Sequence, residues 1–92
     1  MTVRWSPTAL RDLESLHTHI ADDNPAAAVA MVETVLAGIE ALVRHPEMGR
    51  RGRIARTREL VIVPYVIAYR VRKTAIDILA IIHGARRWPD SF

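Results

Sequence analysis

At 92 residues the chain has room for one core, and a domain of that size buries only about 60–65% of the surface its unfolded form exposes. Half of the residues are hydrophobic, a quarter are charged and none is cysteine, which excludes a disordered chain, a disulfide scaffold, thiol catalysis and cysteine-ligated zinc. The net charge of +3 conceals a division: residues 1–43 carry two arginines against six acids, whereas residues 44–92 carry eleven basic residues against four acids.

In chain order, Thr2 to Trp5 is long enough only for an edge strand. Ser6-Pro7 then reads as an N-cap followed by the first helical residue, because the serine oxygen accepts from an orphan N–H and proline lacks the donor that would be wasted there. Trp5 and Leu10 have the spacing of a hydrophobic staple. Leu10, Leu13, Leu16 and Ile20 continue at helical spacing, with Arg11, Asp12 and Glu14 opposite. Asn24-Pro25 repeats the cap-and-proline signal, so a second helix follows after a tight connection. Val29, Val32, Leu36, Ile39 and Val43 form its stripe, and the alanines at 26–28 allow the helices to approach closely. Pro46 disfavours helix at His45 and ends the element near Arg44.

Residues 46–57 lack apolar periodicity, contain Gly49 and Gly52, and read as a loop that carries Arg50, Arg51, Arg53 and Arg56 ahead of Arg58. From Glu59 onward the pattern becomes β-branched and aromatic. It predicts a three-stranded meander over 60–63, 65–71 and 75–82, with Pro64 at the first bend because it cannot donate to a ladder. A turn at Lys73-Thr74 would pair Arg70 with Asp77, Ala68 with Leu79 and Val66 with Ile81 on one face. The other face would carry Tyr69 with Ile78, Ile67 with Ala80 and Tyr65 with Ile82, and receive the helices. The expected fold is therefore α+β in the order β-α-α-β-β-β, a single domain over residues 1–92 with a helical hairpin on one face of a small antiparallel sheet and a short C-terminal tail. No signal-peptide pattern and no uninterrupted apolar run of membrane-spanning length is present, so neither secretion nor a membrane partner is expected and the cytoplasm is the expected location.

The chemistry-bearing residues leave several readings open. His83, Arg70 and Asp77 on the open face could form a catalytic or anion-binding group, or a plain cross-strand ion pair with His83 holding the next turn. Trp88 before Pro89 could be a stacking platform or a plug over the sheet end. Arg50, Arg51, Arg53, Arg56 and Arg58, with Arg86 and Arg87, could track phosphates, meet an acidic partner or be solvated surface. His17 and His19 diverge on their helix, so no metal site is expected, and no cofactor motif is present.

The ordered words Ser-Pro-x-Ala, His-Pro-x-Met-Gly-Arg, Arg-Glu-Leu-Val, Pro-Tyr-Val-Ile-Ala-Tyr-Arg-Val and Ile-Ile-His-Gly-Ala-Arg-Arg-Trp together resemble the RelE/ParE superfamily of bacterial toxins across essentially the whole chain. That resemblance implies the toxin of a type II toxin–antitoxin pair. Its partner would be an acidic antitoxin with a ribbon-helix-helix start, in a hetero-oligomer. RelE-like members cut ribosome-bound mRNA, and ParE-like members are taken to poison DNA gyrase without catalysis. In the nuclease pattern an arginine follows the tyrosine of the central strand, whereas here Val66 follows Tyr65. The ending His83-Gly84-Ala85-Arg86 resembles the ParE side, although Arg87 stands where many such chains have an acid. The expectation is a ParE-like gyrase poison with no catalytic residues. Target or antitoxin contacts would fall on the arginines at 50, 51, 53, 56, 58, 86 and 87, with Trp88 and Phe92. The alternative is an mRNA endonuclease using Arg53, Arg70, His83 and Arg86.

Overall fold

Both proline-led helices start where their caps predict. In the computed structural model, which describes residues 1–92, Ser6 Oγ accepts from Ala9 N at 3.0 Å and opens α1 (Pro7–Ala21). Asn24 Oδ1 accepts from Ala27 N at 3.0 Å and opens α2 (Pro25–Arg44). Five strands complete the fold: β1 (Thr2–Trp5), β2 (Arg50–Arg51), β3 (Arg58–Ile62), β4 (Tyr65–Val71) and β5 (Ala75–His83). They form one sheet in the order β1-β5-β4-β3-β2.

The sheet is mixed rather than antiparallel, because β1 runs parallel to β5. Its direction could not be read from a four-residue segment whose partner lies more than seventy positions away. The expected loop over 46–57 also contains a small strand, since Arg50 and Arg51 pair with Glu59 and Arg58. Pro64 sits at the bend between β3 and β4, as its missing donor requires.

Both helices cover one face. Ala9 and Leu16 of α1, with Val35, Ile39 and Leu42 of α2, pack against Tyr65, Ile67, Tyr69, Ile76, Ile78 and Ile81. The expected stripes are corrected here. Leu10 stays 47% exposed while Ala9 is fully buried, so the staple partner of Trp5 lies outside the core. On α2 the buried line is Ala28, Val35, Ile39 and Leu42, and Val29 and Leu36 are 50% and 43% exposed. The reason is that α2 is apolar nearly all round, with Glu33, Glu40 and Arg44 as its charges, so periodicity alone does not choose a face. Its 20 residues, at a mean hydropathy of 1.9 over the best window, are long and apolar enough to cross a membrane by length and composition. Glu33 and Glu40 interrupt it, so no uninterrupted apolar run of that length occurs, and in this fold α2 lays Val35, Ile39 and Leu42 against the sheet.

The β4–β5 register decides where the functional side chains point. Arg70 pairs with Asp77 and Tyr69 with Ile78 as expected, but a bulge between Ala68 and Tyr69 leaves Leu79 as the extra residue of β5. Beyond it the partners are Ala68 with Ala80, Ile67 with Ile81, Val66 with Ile82 and Tyr65 with His83. Because side chains alternate, the extra residue moves Ala80 and Ile82 to the open face and brings Ile81 and His83 to the helix face.

Candidate functional site

The open face is centred on Glu59. Its strand position opposite Ala68 turns it away from the helices, and it is 3% exposed. A carboxylate so placed requires several donors. Oε1 accepts from Arg50 Nε at 3.1 Å and Nη2 at 2.9 Å, and Oε2 from the Arg53 backbone N–H at 2.8 Å and Nε at 3.3 Å. Burial pushes this carboxyl upward, but the Arg53 backbone N–H and the two guanidiniums outweigh it and hold Glu59 below the usual carboxylate range.

Arg53 then stacks its guanidinium on Trp88, 3.8 Å from the ring centroid. Trp88 packs on Ala68, Ala80 and Ile82, so it is a plug on the sheet face. Its Nε1 is the one buried side-chain polar atom without a hydrogen-bond partner. This contact joins the 50–58 segment to the C-terminal tail.

Asp77 also lies on the open face, yet its ion pairs are with Arg4 at 2.7 Å and Arg72 at 3.0 Å. The expected Arg70–Asp77 pair is absent although the two are register partners, because Arg70 Nε donates instead to the Arg56 carbonyl at 3.2 Å. The Arg4 hydrogen bond is the main influence on Asp77; with the Arg72 contact it overcomes burial and keeps the carboxyl below its usual range. Arg4 was hidden from sequence reasoning, since only the parallel β1–β5 register places it beside Asp77.

Beside this cluster runs a groove of about 830 Å³, lined by Arg51, Arg56, Arg58, Arg70 and Arg72 and by no acidic residue. Arg58 is fixed by donating to the Gly49 carbonyl at 2.8 Å, and Arg56 has a left-handed backbone at φ 61°. The side chains of Arg51 and Arg56 form no hydrogen bond or ion pair within the chain.

His83 stands apart from all of these. The Leu79 bulge turns it into a second cavity of about 550 Å³ on the helix side, with Asp12, Ser15, His19, Tyr65 and Arg86. Its ring meets Tyr65 edge-on at 5.4 Å, and its Nδ1 accepts from Ala85 N at 3.1 Å, so it holds the following turn. That bond places the proton of the neutral ring on Nε2. The open-face position expected for His83 is therefore corrected: Arg53 and Arg70 lie on one face of the sheet and His83 on the other. Arg86 lines both the His83 cavity and a third groove, of about 570 Å³, shared with Arg87 and Phe92 of the tail. No cluster of histidine and acidic residues is arranged to hold a metal.

Sequence reasoning did not single out Asp12 or Tyr69. Asp12 Oδ2 accepts from Ile81 N at 2.9 Å, a role that follows only from the bulge. The buried Tyr69 hydroxyl donates to the Pro46 carbonyl at 2.7 Å and accepts from Gly49 N at 2.9 Å, which anchors the arginine-bearing segment to the core.

The family model described as "ParE toxin of type II toxin-antitoxin system, parDE" matches residues 3–88. A protein of Sinorhizobium fredii (strain NBRC 101917 / NGR234) named "Putative toxin Y4kP" is 39% identical over 89 residues, covering 95% of this chain and 92% of its own. A solved chain from the "Chromosomal ParDE TA system from P. aeruginosa" superposes with a TM-score of 0.79 at 25% identity, covering 90% of this chain and 95% of that one. Sequence and fold thus converge over nearly the full length: the chain belongs to the ParE family, the toxins of type II toxin–antitoxin systems, a membership that implies an antitoxin partner.

Proposed function

We propose that this ParE-family chain inhibits growth by poisoning DNA gyrase in the cytoplasm, acts through protein contact rather than catalysis, and is neutralised by its cognate antitoxin. The observation that carries this reading is the separation of the would-be catalytic groups. Arg53 is committed to Glu59 and Trp88, Arg70 to the Arg56 carbonyl, and His83 lies across the sheet with its Nδ1 engaged. Cleaving RNA through its 2′-hydroxyl needs a base, an acid and a cation converging on one phosphate.

The surface assigned to gyrase is the tail groove, where Arg86, Arg87 and the 41% exposed Phe92 border the start of α1. An apolar anchor flanked by guanidiniums has the composition of an interface hot spot. The surface assigned to the antitoxin includes the outward face of α2, where Val29 and Leu36 are left uncovered, a fit for an amphipathic helix with acidic flanks. A supercoiling assay with the purified chain tests the reading. Inhibition is expected, and Arg86→Gln/Arg87→Gln/Phe92→Ala should abolish it while antitoxin binding persists.

One observation favours a second reading. His83, Arg86, Asp12 and His19 share a cavity, which brings two imidazoles, a guanidinium and a carboxylate together. Ribosome-dependent cleavage of message, lost in His83→Ala with unchanged thermal stability, would establish that reading instead.

A further inference from the structure

The groove beside β2 holds the least compensated charge in the molecule. Elsewhere two acids each draw a pair of guanidiniums: Glu59 takes Arg50 and Arg53, and Asp77 takes Arg4 and Arg72. Of the five guanidiniums lining the groove, only that of Arg72 has a carboxylate partner. Arg58 and Arg70 are instead held by backbone carbonyls, which fix their direction and leave their charge unneutralised. A cleft lined by one sign of charge concentrates its potential and favours a polyanion.

We infer that this groove binds the phosphodiester backbone of a nucleic-acid duplex without reading its sequence. Guanidiniums held in place by main-chain oxygens retain free N–H groups for phosphate oxygens, and such contacts position a duplex but carry no base information. The chemistry of the wall selects among polyanions. An acidic peptide would need an apolar or aromatic anchor, and the groove offers only Ile54, Ala55 and Val71. A single strand would need a stacking platform; no aromatic side chain lines the groove, and Trp88 is occupied by Arg53 and the sheet. The inference is independent of the gyrase reading, because the binding is measured with no topoisomerase present.

The test is fluorescence anisotropy of the purified full chain with labelled duplex DNA, duplex RNA, single-stranded RNA and a polyglutamate peptide, over roughly 50–200 mM salt. Duplex binding is expected with a slope of log K against log salt of about −4, from about −0.9 per phosphate at four or five contacts. The two duplex arms identify which nucleic acid the shared backbone chemistry prefers, and binding of either supports the site. Arg51→Gln/Arg56→Gln should weaken duplex binding about tenfold or more and reduce the slope by about 2, since each removes about one phosphate contact. Those two side chains make no internal hydrogen bond, so the melting temperature should be unchanged. Arg86→Gln/Arg87→Gln, outside the groove, should leave binding intact. The inference is overturned by absence of duplex binding at the lowest salt, by binding indifferent to Arg51 and Arg56, or by tighter binding of single-stranded RNA or polyglutamate.

Discussion

Tyr69 shows how one side chain carries the site on the core. Fully buried on β4, it reaches the far end of α2 with a hydroxyl that both donates to Pro46 and accepts from Gly49. Burial raises its pKa, so it remains a neutral donor across the physiological range. Tyr69→Phe leaves the Gly49 N–H without a partner, and denaturant unfolding should show a loss of about 1–3 kcal/mol. Gly49→Ala should be at least as damaging, because a Cβ there would lie 2.6 Å from the Tyr69 hydroxyl. Glu59 governs acid behaviour. Its folded pKa is lowered, so its contribution is present above the unfolded carboxylate pKa and lost as pH falls through the folded value. Unfolding free energy measured against pH should therefore decline on the acid side, and Glu59→Gln should flatten that decline. Asp77, lowered in the same direction, keeps part of the slope in that variant.

Among the elements, β5 is the decisive one. β1 covers its edge only as far as Ile78, so the main chain beyond is left to α1. Ser6 Oγ donates to the Leu79 carbonyl at 2.9 Å and Asp12 accepts from Ile81 N. The helix start is thus latched to the bulge, and the bulge sets the face of His83. Asp12→Ala should accelerate amide exchange at Ile81 by roughly tenfold, the loss of about 1.4 kcal/mol of protection, whereas Asp12→Asn should retain most of it. The order of the main elements, both caps and the limits of β4 were legible because each rests on local chemistry: Ser6-Pro7, Asn24-Pro25, Pro46 and Pro64; β3, expected over 60–63, instead spans Arg58–Ile62, where Arg58 and Glu59 pair with the unforeseen β2. Register was legible only as far as the turn controls it, from Val71 to Tyr69. The bulge meets its partners in Ser6 and Asp12, more than sixty residues away, and no local signal marks it. The buried face of α2 failed for a different reason, since that helix is apolar nearly all round.

For the molecule as a whole, charge segregation in the sequence becomes division of labour between surfaces. The arginines of the 50–58 cluster separate into a structural set around Glu59 and a groove-lining set, and Arg86 and Arg87 remain a tail set. Composition could locate them, but only the β2–β3–β4 register could sort them. The tail serves the fold and the proposed contact at once. Trp88→Ala should destabilise the chain by about 2–3 kcal/mol in thermal or denaturant unfolding, because Ala68, Ala80 and Ile82 lose their cover. Substitutions at Arg86, Arg87 and Phe92 should leave stability within about 0.5 kcal/mol, since all three are exposed. For that reason those three, rather than truncation of the tail, isolate contact from folding. The non-catalytic poisoning of gyrase proposed for this chain is tested by supercoiling of relaxed plasmid by gyrase titrated with the purified chain. Dose-dependent inhibition is expected, relieved by the antitoxin and lost in the Arg86→Gln/Arg87→Gln/Phe92→Ala variant. Undiminished supercoiling at saturating toxin, together with cleavage of ribosome-bound message by the same preparation, would contradict it.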